Sequence, residues 1–174
     1  TNQNYIRHET AVVPGISRQA FETGTLQNIQ SRRVLTYLDG IGREMQQVEV
    51  SQSPSGKDIV NFQEYDAFGR QPRSYLPYST EILPGGYKIS AIEDQHNFYA
   101  TGTDWEFTDF AYDEKTFEDA PSGKVIRDAF AGETWKTGNH NVQYNYRSNY
   151  VNEVRLFRID PTTSGWKGTS WYSA

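Results

Sequence analysis

Adjacent carboxylates at Glu93-Asp94, Asp113-Glu114 and Glu118-Asp119 have the most evident capacity for acid–base chemistry in this chain. Glycoside hydrolysis needs two carboxylates held about 5–9 Å apart across a cleft. Neighbouring strand residues face opposite ways, so adjacency alone does not build that pair, and solvated loops account for all three clusters. The histidines, His8, His96 and His140, stand far apart and none sits in a ligand-spaced motif. His140 lies between Asn139 and Asn141 and reads as a hairpin-turn residue. Cysteine is absent, which excludes disulfides, thiol nucleophiles and Cys-type zinc sites. Ser53-Pro54-Ser55-Gly56-Lys57 lacks the Gly-x-x-x-x-Gly-Lys-Ser/Thr spacing of a phosphate loop and reads as a β-turn. Gly40 and Gly42 lack the third glycine and following helix of a dinucleotide site. Asp39 and Asp66 lack the run of alternating oxygen donors of a calcium loop. The expectation is a chain without a catalytic, cofactor or metal site.

Sugar recognition is a second kind of chemistry, because an aromatic face can cover apolar C–H surface. Trp105, Trp135, Trp166 and Trp171 are candidate glycan contacts on that ground. The competing reading makes each of them a core residue of a Leu-poor β protein, and it is the favoured one.

Strands must position any such residues, because the chain carries two copies of a strand–turn–strand joint. Tyr37 leads into Asp39-Gly40-Ile41-Gly42-Arg43, and Tyr65 leads into Asp66-Ala67-Phe68-Gly69-Arg70, 27 residues later. Asp can accept bonds from the backbone two residues on, Gly supplies positive φ, and Arg opens the outgoing strand. A tandem joint of this kind marks a stacking unit that buries no core alone. Tyr37 lies five residues before Gly42, whereas Tyr65 lies four before Gly69. A one-residue slip turns a side chain to the opposite face, so either the two tyrosines face different ways or the first joint contains a bulge, and a bulge supplied by Gly40 is the favoured expectation.

Composition supports a β protein. Only 36% of the 174 residues are hydrophobic and the mean hydropathy is −0.78, so the core must be thin. Aromatics compensate at 14%, burying large areas while keeping a polar handle. A net charge of −5 supplies no concentrated basic face, so no nucleic-acid partner is expected. No apolar run approaches the about 20 residues of a transmembrane segment. The chain begins with Thr1 and has Met45 as its only methionine, which reads as part of a longer polypeptide.

Turn signals place strands at 33–38, 44–52, 58–65 and 73–76, then at 105–112, 124–128, 141–147 and 152–160. Pro72 and Pro77 put the fourth strand at an edge or a bend. A helix is expected over Ser90–Tyr99, with Ser90 as cap, Glu93 at the capping-box position, and Ile92, His96 and Tyr99 on one face. The expected fold class is mostly all-β, antiparallel sheets and hairpins with one short helix near 90–99. The organisation reads as an irregular lead-in over 1–28 and two joint-bearing β repeats over 29–80. A further β region with the helix follows over 81–160, then a Ser/Thr/Gly-rich tail over 161–174 leading into more repeats.

The joints resemble the Tyr-Asp pattern of bacterial RHS/YD-repeat proteins. Asn4-Tyr5-Ile6-Arg7, Tyr37 through Arg43, Ser53 through Asp58, Glu64 through Arg70 and Tyr75-Leu76-Pro77-Tyr78 occur in that order. Together they resemble the uncharacterised domain near the N-terminus of many large RHS proteins, and 141–156 resembles its closing hairpin. The resemblance covers 4–158 and is strongest over 37–78. It implies an exported protein of the cell envelope or extracellular space. In it this chain is a non-catalytic structural segment adding strands to a shell-like or extended assembly, in toxin delivery or cell-surface interaction. Tyr37, Asp39, Gly42, Arg43, Tyr65, Asp66, Gly69 and Arg70 are then structural joint residues. The implied partner is the remainder of the same RHS polypeptide. A carbohydrate-binding module with surface glycans as partners is the alternative, and a glycoside hydrolase the third reading. Two departures matter. With two good joints, this segment alone closes no shell. Asp160-Pro161 is followed by Thr162-Thr163-Ser164 rather than completing the family's Asp-Pro-x-Gly-Leu cleavage motif, so self-cleavage is not implied.

Overall fold

The computed structural model describes residues 3–27, 29–102, 105–120, 122–160 and 165–171. The chain divides into two compact units, residues 1–143 and 144–174. In the first unit the elements run β1 (Asn4–Ala11), α1 (Arg18–Glu22), β2 (Ser31–Leu38), β3 (Glu44–Glu49), β4 (Asp58–Phe62), β5 (Arg73–Tyr75) and β6 (Tyr78–Thr80). They continue with α2 (Ala91–Thr101), β7 (Tyr112–Phe117), β8 (Val125–Ala129) and β9 (Val142–Gln143). The second unit contributes β10 (Arg155–Asp160) and β11 (Gly165–Trp171). The protein is mostly β.

Alternation fixes the central sheet. Gln46 and Val48 in β3, and Asp58, Val60 and Phe62 in β4, are buried, and the residues between them are only half-buried. Antiparallel pairing aligns Leu35, Val48, Val60 and Tyr78 in one row across four strands. β1 pairs with β2 from Asn4↔Leu38 to Ala11↔Ser31, completing the order β1-β2-β3-β4-β6.

Pro77 has no N–H to give, and the chain over 73–80 breaks there into two strands. β6 stays on β4, while β5 joins β7, β8 and β9 in a four-stranded sheet. A Gln63↔Ser74 bridge and the Leu76 N–H bond to the Ala111 carbonyl, 3.0 Å, tie the two sheets where they part. Over the same place lies α2, whose Gln95 amide donates to the carbonyls of Leu76 (3.3 Å) and Ala111 (2.7 Å). Tyr37, Val48, Val60, Phe62, Tyr75, Tyr78 and Ala91 form the buried cluster, with Phe62 and Tyr75 stacked at 4.4 Å. Tyrosine and phenylalanine thus take the core places that leucine fills elsewhere.

In the second unit β10 and β11 form an antiparallel hairpin with a register shift between Leu156 and Phe157. Arg147 pairs with Glu153 at 2.5 Å, and Arg155 lies 5.0 Å from the Trp171 ring centroid.

Several elements differ from the sequence expectations. The irregular lead-in contains the eight-residue strand β1, which is exposed at every position but Glu9 and so carries no apolar alternation. The segment 105–111 is not a strand, and 141–147 pairs only at Val142–Gln143. The tail forms β11. In α2, Ser90 makes no capping bond through its side chain. The buried helix positions are Ala91 and Gln95, with Ile92 exposed, because Gln95 answers the carbonyls at the sheet junction.

Candidate functional site

Each joint is built by one aspartate. In the first, Asp39 Oδ1 accepts from the backbone N–H groups of Ile41 (3.0 Å) and Arg43 (2.8 Å), and Oδ2 accepts from Arg43 Nε (2.7 Å). In the second, Asp66 Oδ1 accepts from Phe68 and Arg70 N–H (both 2.9 Å), and Oδ2 accepts from Arg70 Nε (2.7 Å). The backbones agree as well: residue one donates to the carbonyl of residue five at 2.9 Å in both turns. Gly42 and Gly69 hold φ of +86° and +77°, the left-handed region that glycine enters without steric cost. Partial desolvation raises both carboxyls, but the arginines and turn N–H groups outweigh it and hold each below the ordinary carboxylate value.

A third turn repeats the plan. Ser53 N–H donates to Lys57 C=O (3.0 Å), Gly56 N–H donates to Ser53 C=O (2.9 Å), and Ser53 Oγ accepts from Lys57 N–H (2.7 Å). Serine stands where the other two have aspartate, at the opposite end of the meander.

The two aspartate turns lie at the same end and are linked by their arginines. The Arg43 guanidinium sits 4.2 Å from the Tyr65 ring centroid, at the mouth of the second turn. The Arg70 guanidinium sits 4.4 Å from the Phe117 ring centroid and donates to Ala120 C=O at 3.3 Å, in the β7–β8 turn. Each arginine closes its own turn and covers the next.

The two tyrosines do not play one role. Tyr37 is buried and its hydroxyl donates to Gly85 C=O at 2.7 Å; Tyr65 is half-buried and donates to Glu44 C=O at 2.8 Å. Aligned on the turns, Tyr65 matches Leu38, so the tyrosines face opposite ways. The bulge lies not at Gly40 but in the outgoing strand, where Tyr37 pairs with Gln46 and Leu38 with Glu44, leaving Met45 extra.

Of the four tryptophans, Trp105 and Trp135 line one cleft of about 380 Å³. Trp171 is in the second unit, and the Trp166 side chain lies outside the described residues. His96 Nε2 is 3.1 Å from Asp109, and His140 packs on Trp135. The paired carboxylates are not gathered. Asp113 accepts from Ala131 N–H (2.9 Å), Glu114 accepts from Thr137 Oγ1 (2.6 Å), and Glu93 lies at a separate cleft of about 620 Å³ beside Glu64 and His96. Among the described residues no group of three His, Cys, Asp or Glu could hold a metal ion, and no helix is long and apolar enough to cross a membrane.

One polar cluster escapes sequence reasoning. Asp58 and Lys88, each about fully buried, pair at 3.0 Å. Asp58 also accepts from Ser51 N–H (3.0 Å) and Gly85 N–H (2.6 Å), while Lys88 Nζ donates to Leu83 C=O (2.6 Å). Gln46 exchanges two bonds with the Lys88 backbone. The pair clamps the 81–90 loop to the sheet, with every charge answered. Its signal was partial: alternation puts Asp58 on the face of Val60 and Phe62, but nothing local marks Lys88.

A family model described as a domain of unknown function (DUF6443) matches residues 10–148, and the chain belongs to that family. No curated protein and no solved structure matches it.

Proposed function

We propose that this DUF6443 chain is a non-catalytic β-scaffold segment of a large exported RHS/YD-repeat protein, contributing strands to a shell-like or extended assembly. The observation that carries the reading is the directional link between turns. Arg43 is held by Asp39 yet covers Tyr65, and Arg70 is held by Asp66 yet covers Phe117. Turns that pass a side chain forward suit a sheet extended one hairpin at a time, where each unit is stabilised by its neighbour. Each aspartate in those turns accepts three bonds from its own turn, an arrangement that suits a structural acceptor rather than an acid awaiting a proton. Export, and a role in toxin delivery or cell-surface interaction, rest on the resemblance of the Tyr/Asp/Gly/Arg joints, and the partner is the rest of the same polypeptide.

The test is a screen of the purified chain against glycoside, ester and peptide substrates, alongside melting of Arg43→Ala and Arg70→Ala. No turnover and lowered Tm for both variants are expected. Reproducible hydrolysis that disappears in a single carboxylate variant of unchanged Tm overturns the reading.

A further inference from the structure

We infer that the cleft between Trp105 and Trp135 is a binding site for a neutral saccharide. Its residues are not those of the stacked turns, and the inference stands apart from the scaffold reading.

Neither indole belongs to the buried cluster, and Trp135 is 53% exposed. Trp105, Phe107 and Trp135 are all exposed and line the same cleft, and a contiguous exposed aromatic group of this kind marks a binding surface where a lone exposed ring would not. The Trp105 ring and the backbone turn that carries Trp135 are held in place. Trp105 stacks on Phe98 with centroids 4.2 Å apart and planes at 21°. Gly102 makes room for that stack, since a Cβ there would stand 2.1 Å from the Trp105 ring. The Trp135 turn closes through its N–H to Gly132 C=O (3.1 Å), with Gly132 at φ +105°. Gly132 N–H donates to Phe110 C=O (2.8 Å), tying this turn to the segment that carries Trp105. A site ordered before its ligand arrives loses less entropy on binding.

The lining selects the ligand. A volume of about 380 Å³ falls within the range of small-molecule sites. Glu106 and Glu133 stand in the wall, and carboxylates only accept, so the ligand must donate and must not be an anion. Glu133 is already matched by Lys136 at 2.5 Å, while Glu106 is exposed and has no bonding partner among the described residues. A pyranose offers what these groups ask for, a C–H face for an indole and hydroxyl donors for a carboxylate. An organic cation fits less well. Aromatic cages enclose a cation on several sides, whereas Trp105 has one face packed on Phe98 and one of the two carboxylates is neutralised.

Calorimetric and tryptophan-fluorescence titration of the full chain with chitohexaose, cellohexaose and mannohexaose, and separately with choline, tests this. At least one hexasaccharide should saturate with Kd between about 10 μM and 1 mM. Binding should weaken about tenfold or more in Trp135→Ala and in Glu106→Gln, and stay unchanged in Trp171→Ala. Both side chains are exposed, so Tm should hold; if Trp135→Ala does not fold, Glu106→Gln decides. Absence of saturation by all three sugars up to about 10 mM overturns the proposal. So does binding unaltered in Glu106→Gln, or saturation by choline alone. None of these results touches the turn-to-turn links, which the melting of Arg43→Ala and Arg70→Ala reads.

Discussion

The guanidinium of Arg43 is bonded through Nε to Asp39 in its own turn and lies over the ring of Tyr65 in the next, 4.2 Å from the centroid. Interactions between successive repeats are what hold such an array together. A double-mutant cycle of Arg43→Ala with Tyr65→Leu should therefore show a coupling of about 0.5–1 kcal/mol. Additive urea midpoints would mean that the turns are independent.

Gly42 and Gly69 share a left-handed φ but not an environment. A Cβ on Gly69 would meet Arg43 Nη1 at 3.1 Å, whereas one on Gly42 would meet nothing within 4 Å. Gly69→Val should cost about 1–3 kcal/mol, combining strain with displacement of the arginine, and Gly42→Val should cost less. Denaturant midpoints rank the two. Equal losses would show that strain alone acts, and melting with the parent would refute the turn geometry.

The aspartates should behave as acceptors. Asp66→Asn keeps an oxygen for the Phe68 and Arg70 N–H groups and loses the charge facing Arg70 Nε; Asp66→Ala loses all three bonds. Thermal melts should order parent above Asn above Ala, with the same order at Asp39. Equal Tm for Asn and Ala would mean that the charge, not the acceptor, closes the turn.

Local chemistry explains why the joints and the central strands are legible in the sequence. An aspartate bonds residues two and four places on, and Val48, Val60 and Phe62 repeat at a period of two. β1 is not legible, because an edge strand exposed everywhere but at Glu9 shows no apolar period. Neither is the sharing of one cleft by Trp105 and Trp135, which depends on the room Gly102 leaves for the Trp105 ring and on the Gly132–Phe110 bond. Lys88 is the sharpest case. A lone lysine after Gly-Gly-Tyr reads as surface, and only its buried partner, Asp58, makes it a core residue.

That pair yields an asymmetric expectation. Lys88→Met leaves Asp58 charged and buried, and should cost about 3–5 kcal/mol. Adding Asp58→Asn removes the orphaned charge while keeping an acceptor for Ser51 and Gly85 N–H. The double variant should unfold at higher urea than Lys88→Met alone. A double variant weaker than either single would show that the clamp works through hydrogen-bond geometry rather than charge balance.

Glu9 gives the protein an acid-sensitive edge. Burial pushes its carboxyl up, but bonds from Arg7, Ser31 and Arg33 and the Arg33 charge outweigh that and bring it from 4.5 down to about 2. A folded-state value below the unfolded one means stabilisation that is complete above pH 4.5 and lost as pH falls through about 2. Glu9→Gln cannot titrate, so the Tm gap between parent and variant should be constant above pH 4.5 and close towards pH 2. The loss should fall first on β1–β2, where Ser31 Oγ donates to Glu9 at 2.7 Å and Arg33 at 3.1 Å. Amide exchange across Asn4–Ala11 should thus speed up in acid more in the parent than in Glu9→Gln, once the intrinsic pH dependence is divided out. Equal acid sensitivity in the two proteins would place the responsible carboxylate elsewhere.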